Sequence, residues 1–187
     1  RQWSRGLGDV YKRQSLNVNI NFCLLKYLQS IIRIYKEIME LTVYLSGEIH
    51  TNWRDEIIKK CEVLKLPIEF LSPVTNHELS DDVGVEILGK EDKKIWHDHK
   101  SAKINSIRTK NAIERADLVV VRFGDKYKQW NAAFDAGYAI GLSKSLVVLH
   151  NEDHQHALKE VDASASAVTK NVDEVVKILQ YTSTTKI

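Results

Sequence analysis

The chain has 187 residues, of which 43% are hydrophobic and 28% charged, and it contains two cysteines. This length favours one domain with a substantial core. Two cysteines without a CxxC pair argue against a disulfide framework or a thiolate metal site and fit a reducing cytoplasm. The net charge of +2 is uneven, because seven basic and two acidic residues lie within 1–38, which leaves 20 basic and 23 acidic residues in the body. The body therefore lacks the basic face that would indicate a nucleic-acid partner.

Residues 1–38 are predicted to be a leader that does not belong to the native domain, which we place at 39–187. The opening RQWSRGLGDVYKRQ resembles a translated sequencing adapter, and the single methionine, Met39, directly precedes the first predicted strand. Charged residues interrupt the apolar run of the leader, which argues against a signal peptide or a membrane span. These charges are Lys26, Arg33 and Lys36, and the apolar positions of an alternative amphipathic helix are Leu24, Leu28, Ile31, Tyr35 and Ile38.

Short runs rich in β-branched residues predict five strands in the body, and helical periodicity fills the gaps between them. The predicted strands are residues 41–45, 67–71, 117–123, 145–150 and 166–169, and the predicted helices are 53–64, 93–115, 131–140, 154–161 and 172–179. Alternation of strands and helices implies right-handed crossovers and a parallel sheet. We therefore predict an α/β three-layer sandwich with a five-stranded parallel sheet of the flavodoxin or Rossmann-like kind.

A segment of nearly thirty residues, 72–100, interrupts this alternation, and connections of that length are often functional or mobile. It contains His97 and His99, which would point to different faces of a helix and therefore make a poor pair of metal ligands. The chain has no HExxH or closed zinc pattern, so no metal is predicted and surface histidines are the plainer interpretation. An acid or base role for either histidine stays open, because the segment could fold over a cleft.

Ligands of an open parallel sheet bind beyond the carboxyl ends of its strands. Three loops qualify by this rule, at residues 46–50, 124–131 and 150–156. In the first, Ser46 and Gly47 allow close approach of a ligand to the backbone, although a plain turn glycine is an equal interpretation. Because neither a GxGxxG fingerprint nor a Walker sequence is present, we predict no cofactor.

The stretch NAAFDAGYA, residues 131–139, places one carboxylate among small and apolar residues. Asn131 is predicted to cap a helix, and Asp135 would then lie about one turn inside it, where the helix dipole favours a negative charge. The alternative interpretation is that Asp135 faces the ligand cleft as a reactive group. Nearby aromatic residues, Tyr127, Trp130 and Phe134, would form a platform for a flat ring.

Four segments of the chain resemble the nucleoside 2-deoxyribosyltransferase-like superfamily, and in particular its YtoQ-type branch. They are VYLSGE (43–48), ADLVVVRF (116–123), AAFDAGYAIGLSKSLVVL (132–149) and the tail VDASASAVTKNVDEVVKIL. The resemblance implies a parallel five-stranded domain that exchanges or removes the base of a nucleoside. It also implies a helix-borne carboxylate that attacks C1′, as in retaining glycosidases.

By this resemblance, Asp135 occupies the position of the nucleophilic glutamate and Tyr44 that of a tyrosine beside it. Asp135 is one methylene shorter, and Thr109 and Gln129 stand where the family has two further aspartates. The resemblance implies a first-strand ligand loop at Ser46, Gly47 and Glu48, and the predicted substrate-binding set also includes Phe123, Gly124, Gln129, Trp130 and Asn131.

Three functions follow as hypotheses. The leading one is an enzyme that cleaves or exchanges the N-glycosidic bond of a small-molecule nucleoside or nucleotide, in the cytoplasm and without a membrane or nucleic-acid partner. The second is a binding domain that senses such a ligand without converting it. The third, a monophosphate phosphoribohydrolase, normally has a PGGxGT loop that is absent here. The family resemblance implies a homo-oligomer, and Arg54, Lys126 and Lys128 are candidates for binding a phosphate.

Overall fold

The computed structural model describes residues 24–31, 40–126 and 129–184, without the side chains of residues 77 and 78. The chain divides after Glu40 into two units. Within the first unit, the described residues 24–31 form a helix. The adapter-like opening, Met39 and the other residues of the predicted leader lie outside the described residues, so the boundary of the leader stays a prediction.

The second unit contains a parallel sheet whose described strands alternate with helices. The strands are β1 (Leu41–Gly47), β2 (Ile68–Leu71), β3 (Leu118–Arg122), β4 (Ser145–Leu149) and β5 (Ala167–Thr169). The helices are α1 (Trp53–Val63), α2 (His77–Leu88), α3 (Lys94–Arg115), α4 (Trp130–Gly141), α5 (Lys159–Ser164) and α6 (Val172–Ser183). The strand order is β2-β1-β3-β4-β5. This order confirms the predicted fold class, and it is the flavodoxin-like one, with its switch point between β1 and β3.

The pleat of the strands divides the core into two layers, because alternate side chains of a strand point to opposite faces of the sheet. Val43 and Leu45 of β1 pack with α1 and α6 on one face. Tyr44 packs on the other face, with residues of α3 and α4. The long apolar runs of β3 and β4 supply both layers, which explains why these runs show no alternation with polar residues.

Helix α4 lies against the sheet through three alanines, Ala132, Ala136 and Ala139, which are all buried. Their spacing of four and three residues places them on one face of the helix. The small side chains bring the helix backbone near to the sheet. Asp135 adjoins this buried stripe, so its carboxylate is brought next to the end of β1.

Helix α2 was not predicted, because no helix was assigned between the second predicted strand and the predicted helix at 93–115. Its start is capped by Asn76, whose side chain accepts a hydrogen bond from Leu79 N–H at 3.2 Å. Contacts with α3 then hold its middle, where Gly84 N–H donates to Ser101 Oγ at 3.1 Å. A Cβ at Gly84 would lie 2.2 Å from the backbone nitrogen of Ser101. The close approach of the two helices therefore depends on a glycine in the middle of α2.

The predicted helix at 154–161 was wrong in extent. The chain first forms a 3-10 turn at Glu152–His154 and only then the short helix α5. The apolar residues Leu158 and Val161 pack on the core layer that contains α4.

Gly47, the last residue of β1, is required by both its conformation and its surroundings. Its φ is +101°, and a Cβ at this position would lie 2.1 Å from the carbonyl oxygen of Arg122. We expect Gly47→Ala to lower the free energy of unfolding by at least about 2 kcal/mol, because strain and overlap add. Urea denaturation measures this change.

The matched control for this substitution is Gly137→Ala. Gly137 is exposed within α4 and nothing lies within 4 Å of a Cβ built there. We expect Gly137→Ala to leave stability unchanged or to raise it by up to about 1 kcal/mol, as alanine is the better helix former. Equal effects of the two substitutions would contradict the assignment of Gly47.

Candidate active site

A cleft of about 850 Å³ lies beyond the carboxyl ends of β1 and β3, at the switch point of the sheet. Its floor is the loop after β1, one wall is α4, and the other wall is the pair α2 and α3. The described residues that line it include Ser46, Gly47, Glu48, His50, Ser80, Asp81, Asp98, Asn105, Thr109, Lys110, Gln129, Trp130, Asn131, Phe134, Asp135 and Tyr138. The cleft is thus where parallel α/β sheets bind their ligands.

Asp135 is half-buried in this cleft, and its Oδ2 accepts a hydrogen bond from the Ser46 hydroxyl at 2.5 Å. Burial raises the pKa of Asp135, while the hydrogen bond from Ser46 acts in the opposite direction. A carboxylate with a raised pKa in a cleft is a candidate reactive group. The contact joins α4 to β1 across the switch point of the sheet.

The interpretation of Asp135 as an acid in the first turn of a helix is wrong. Helix α4 begins at Trp130, its N-cap is Gln129, and its first turn holds no acidic residue. The prediction that Asn131 caps this helix is therefore also wrong, although Asn131 does line the cleft. Asp135 lies in the second turn, where the helix dipole gives it little support.

Three aromatic side chains at intervals of four residues, Trp130, Phe134 and Tyr138, line the α4 wall. The rings of Phe134 and Tyr138 are stacked, with centroids 6.5 Å apart and an angle of 3° between their planes. Trp130 and Phe134 are 72% and 64% exposed, which is high for such large apolar groups. Aromatic faces that are open to a cleft suit a flat heterocycle. Tyr127, the third residue of the predicted platform, lies outside the described residues. Tyr138 was not predicted to belong to the platform, although it follows Phe134 by four residues on the same helix.

Glu48 lies at the floor of the cleft and is only 4% exposed. Burial acts to raise its pKa, but hydrogen bonds from the Thr51 hydroxyl and the His50 N–H, together with the charge of Arg122, more than offset this and lower the pKa. Thr51 Oγ1 donates at 2.5 Å, and Arg122 Nε lies 3.7 Å from Oε2. Because its oxygens are already bonded, Glu48 maintains the shape of the loop.

Arg54 supports the same floor from below. Its guanidinium donates to three backbone carbonyls, those of Leu45 at 3.0 Å, Gly47 at 2.9 Å and Glu48 at 2.6 Å. Burial lowers the pKa of Arg54 to about 10. The guanidinium holds the end of β1 in place, so its sequence-based role as a phosphate ligand is not supported. Lys126 does not line the cleft, and Lys128 lies outside the described residues.

Three of the predicted substrate-binding residues lie beneath the cleft and do not line it. Tyr44 and Phe123 are buried in the core layer next to α4. Gly124 is covered by Glu48, whose Cγ would lie 2.4 Å from a Cβ at that position. The remaining predicted residues all line the cleft, and their contact with a substrate stays a prediction.

Gln129 lines the cleft, but its amide is already occupied by the loop that precedes α4. Its Oε1 accepts from Gly124 N–H at 2.9 Å, and its Nε2 donates to the carbonyl of Lys126 at 3.2 Å. These bonds close the loop onto itself. Gln129 therefore acts on the cleft through the shape of this loop.

The wall formed by α2 and α3 contains functional candidates that sequence reasoning missed, among them Asp81, Asn105 and Lys110. The unusual length of the connection after β2 was the available signal, but it did not identify residues. Asn105 Nδ2 donates to the Ser80 carbonyl at 2.9 Å, which joins the two helices of the wall. Thr109, which stands where the family resemblance implies an aspartate, also lines this wall.

The two histidines of the long segment after β2, and His150 after β4, lie outside the lining of the cleft that contains Asp135. His97 Nε2 is 3.1 Å from Asp82 and so links α3 to α2, and the ring of His99 packs edge-on against Trp96. His150, in the loop after β4, has its Nε2 3.1 Å from Asp162. Neither His97, His99 nor His150 lines the cleft. Within the described residues, no three His, Cys, Asp or Glu side chains are grouped as metal ligands would be.

The fold and the site together define the class of this protein: a flavodoxin-like α/β domain with a half-buried carboxylate in its switch-point cleft. A family model described as nucleoside 2-deoxyribosyltransferase YtoQ matches residues 44–183. A Bacillus subtilis protein described as uncharacterized protein YtoQ is 46% identical over 143 residues, which are 76% of this chain and 97% of that protein. The chain belongs to the nucleoside 2-deoxyribosyltransferase YtoQ family.

Comparison with solved structures finds two chains that match most of this one. A conserved protein from Enterococcus faecalis has a TM-score of 0.50 and 13% identity, with 75% of this chain and 98% of that chain covered. A 2-deoxyribosyltransferase from Bacillus psychrosaccharolyticus has a TM-score of 0.44 and 17% identity, with 72% and 90% covered. Among the described residues, no helix has both the length and the apolar character that crossing a membrane requires.

Proposed function

We propose that this protein cleaves or exchanges the N-glycosidic bond of a nucleoside or nucleotide, with Asp135 as the nucleophile. Membership of the family supports this class of reaction. The observation that carries the proposal is the position of Asp135, a half-buried carboxylate that lines the cleft and is held at 2.5 Å by Ser46. Without this carboxylate, the polar residues of the cleft would indicate ligand binding and not covalent chemistry.

The reaction proceeds in two displacements at C1′. A carboxylate oxygen of Asp135 forms a bond to C1′ while the C1′–N bond breaks, and the electron pair of that bond leaves with the base, which takes up a proton. Water or a second base then attacks C1′ and releases a proton, and the carboxylate departs with its electron pair. The proton taken up in the first step balances the one released in the second.

Burial of Asp135 favours this chemistry, because the transition state carries positive charge near C1′. A negative charge interacts more strongly with that positive charge where water is excluded. Burial also removes water from the Asp135 carboxylate, and this loss of solvation is what raises its pKa. The ground-state carboxylate is therefore poorly solvated, and the developing cation supplies the missing stabilisation.

The aromatic wall supports placement of the base. Phe134 lies four residues after Trp130 and four before Tyr138, and all three line the cleft on the same helix as Asp135. Stacking on an aromatic face is tolerant of the identity of the base, since every base offers a flat surface. We infer that the base lies against this wall while its sugar is turned toward Asp135.

A panel of substrates tests the proposal. The purified chain is incubated with 2′-deoxynucleosides, ribonucleosides and their 5′-monophosphates, each with and without a second free base, and the products are separated by liquid chromatography. We expect release of the base from at least one substrate, and a new nucleoside where the second base is accepted. Absence of both products over the whole panel would contradict the proposed function.

A second candidate is a binding domain that senses a nucleoside or nucleotide without converting it. The observation that favours it is that Thr109 and Gln129 replace the two helper carboxylates implied by the resemblance, and that the Gln129 amide is bonded to its own loop. A ligand that raises the melting temperature and is recovered chemically intact would support this candidate, since selective binding stabilises the folded state.

We further propose that the protein acts in the cytoplasm, which two cysteines without a CxxC pair fit, and that it forms a homo-oligomer, which the family resemblance implies. Large apolar side chains exposed on α2 and α3 support association. They are Ile87 and Leu88 of α2 and Ile95 and Trp96 of α3. Exposed apolar side chains of this size are candidates for an interface.

A further inference from the structure

The hydroxyl of Ser46 is one of the most constrained groups in the cleft. Ser46 is only 1% exposed, and its backbone is fixed by pairing in the sheet, where it lies opposite Val121 of β3. The next residue is Gly47, where the backbone of Arg122 leaves no room for a side chain. The Ser46 Oγ is therefore a fixed point from which a hydrogen bond is donated to Oδ2 of Asp135.

Tyr44 lies two residues before Ser46 on the same face of β1, but it does not hold the carboxylate. Its hydroxyl is buried and has no partner with hydrogen-bond geometry in the part of the chain that the structure describes. Burial, with a smaller contribution from the nearby charge of Asp135, raises the pKa of Tyr44 to about 12, although the Thr109 side chain acts in the lowering direction. The phenol therefore senses the charge of Asp135 without bonding to it.

Asp135 is one methylene shorter than a glutamate, so the orientation of its carboxylate matters more for reaching a ligand. A free aspartate carboxylate rotates broadly about its last bond. A hydrogen bond to one oxygen fixes this rotation and leaves the other oxygen for the cleft. Donation to the charged form also favours the anion against the effect of burial.

We propose that Ser46 is the positioning residue for the Asp135 nucleophile, fixing Oδ2 so that Oδ1 faces the substrate. This role rests on the proposed function, and it differs from the predicted role of Ser46 as a substrate ligand. The same bond assists the second displacement. An ester oxygen accepts a hydrogen bond less strongly than a carboxylate oxygen, so the bond from Ser46 favours release of the free carboxylate.

The first test is independent of activity. The carboxyl carbon of Asp135 is followed by 13C NMR through a pH titration in the full chain and in Ser46→Ala, with Asp135→Asn to assign the signal. We expect the pKa of Asp135 to be higher in Ser46→Ala, because the bond that favours the anion is lost while burial remains. An unchanged or lower pKa would overturn the proposal.

The control is Ser106→Ala. Ser106 also lines the cleft, but its hydroxyl donates at 2.8 Å to the Lys103 carbonyl within α3. Its removal is expected to leave the titration of Asp135 unchanged. A similar displacement in both serine variants would indicate a general effect of the cleft on Asp135 and would contradict the specific role of Ser46.

The second test uses any substrate that the wild type converts. We expect Ser46→Ala to lower kcat by about 10- to 100-fold with less than about a threefold change in KM, because misplacement of a reacting group has effects of this size. The acid limb of the pH profile should move to higher pH. A large rise in KM at constant kcat would instead assign Ser46 to substrate binding. If the wild type converts no substrate, the proposed function fails, and the NMR titration still decides whether Ser46 holds Asp135.

Discussion

Replacing Asp135 with asparagine is expected to lower base release or exchange by at least about 1,000-fold, as loss of a nucleophile does in other covalent mechanisms. The amide retains an oxygen that accepts the Ser46 hydrogen bond, so the geometry of the site is preserved. It cannot form a bond to C1′ and then depart as a carboxylate. The measurement is kcat/KM for base release on the best substrate of the panel.

Stability should move in the opposite direction to activity. Burial raises the pKa of Asp135, which means that the folded state disfavours its charge. At neutral pH, Asp135→Asn removes that charge and should leave the free energy of unfolding unchanged or higher. A carboxylate with a purely structural role would instead lose stability on the same substitution.

The control for this experiment is Asp173→Asn. Asp173 is an exposed carboxylate that pairs with Lys60 at 2.5 Å on the other side of the sheet. Its replacement should leave base release unchanged. Full activity of Asp135→Asn would contradict the assignment of the nucleophile, and so would equal losses in the two variants.

Replacing Arg54 with methionine is expected to lower the free energy of unfolding by about 3 kcal/mol, because three hydrogen bonds from a charged donor are lost and the carbonyls are left buried. The affected carbonyls belong to Leu45, Gly47 and Glu48, which form the floor of the cleft. Methionine fills a similar space, so loss of packing contributes little. Urea denaturation with a common slope measures the change.

Arg115→Met is the matched control for this substitution. Arg115 is exposed and pairs with Glu69 at 3.3 Å. We expect a change within about 0.5 kcal/mol, since exposed ion pairs contribute little. If Arg54→Met were as stable as Arg115→Met, the loop after β1 would not depend on the Arg54 guanidinium. Arg54 would then again be a candidate for binding a phosphate.

The strands were predictable because each is a short apolar run whose burial does not depend on distant detail. The predicted run at 117–123 became β3 with one residue lost at each end. Helix α2 was not predictable in the same way. Its backbone is held by Ser101 and Asn105 of α3 and its middle requires Gly84. These are contacts between residues far apart in sequence, which local periodicity does not record.

The same distinction between local sequence pattern and long-range contact applies to the candidate site. The sequence identified Asp135 and the loop after β1 as candidates, because the carboxyl ends of parallel strands meet at one edge. It did not identify the hydrogen bond between Ser46 and Asp135, whose partners are 89 residues apart. The start of α4 was misplaced because Asn131 is a good capping residue by type, whereas Gln129 precedes the helix in the structure.

Covalent capture of the sugar on Asp135 tests the central claim most directly. The full chain is mixed with the best substrate, quenched in acid within one turnover, digested and examined by mass spectrometry. We expect the peptide that contains Asp135 to gain the mass of the glycosyl group, and Asp135→Asn to gain nothing. A glycosyl group on another residue, or base release without any adduct on Asp135, would contradict the assignment of Asp135 as the nucleophile.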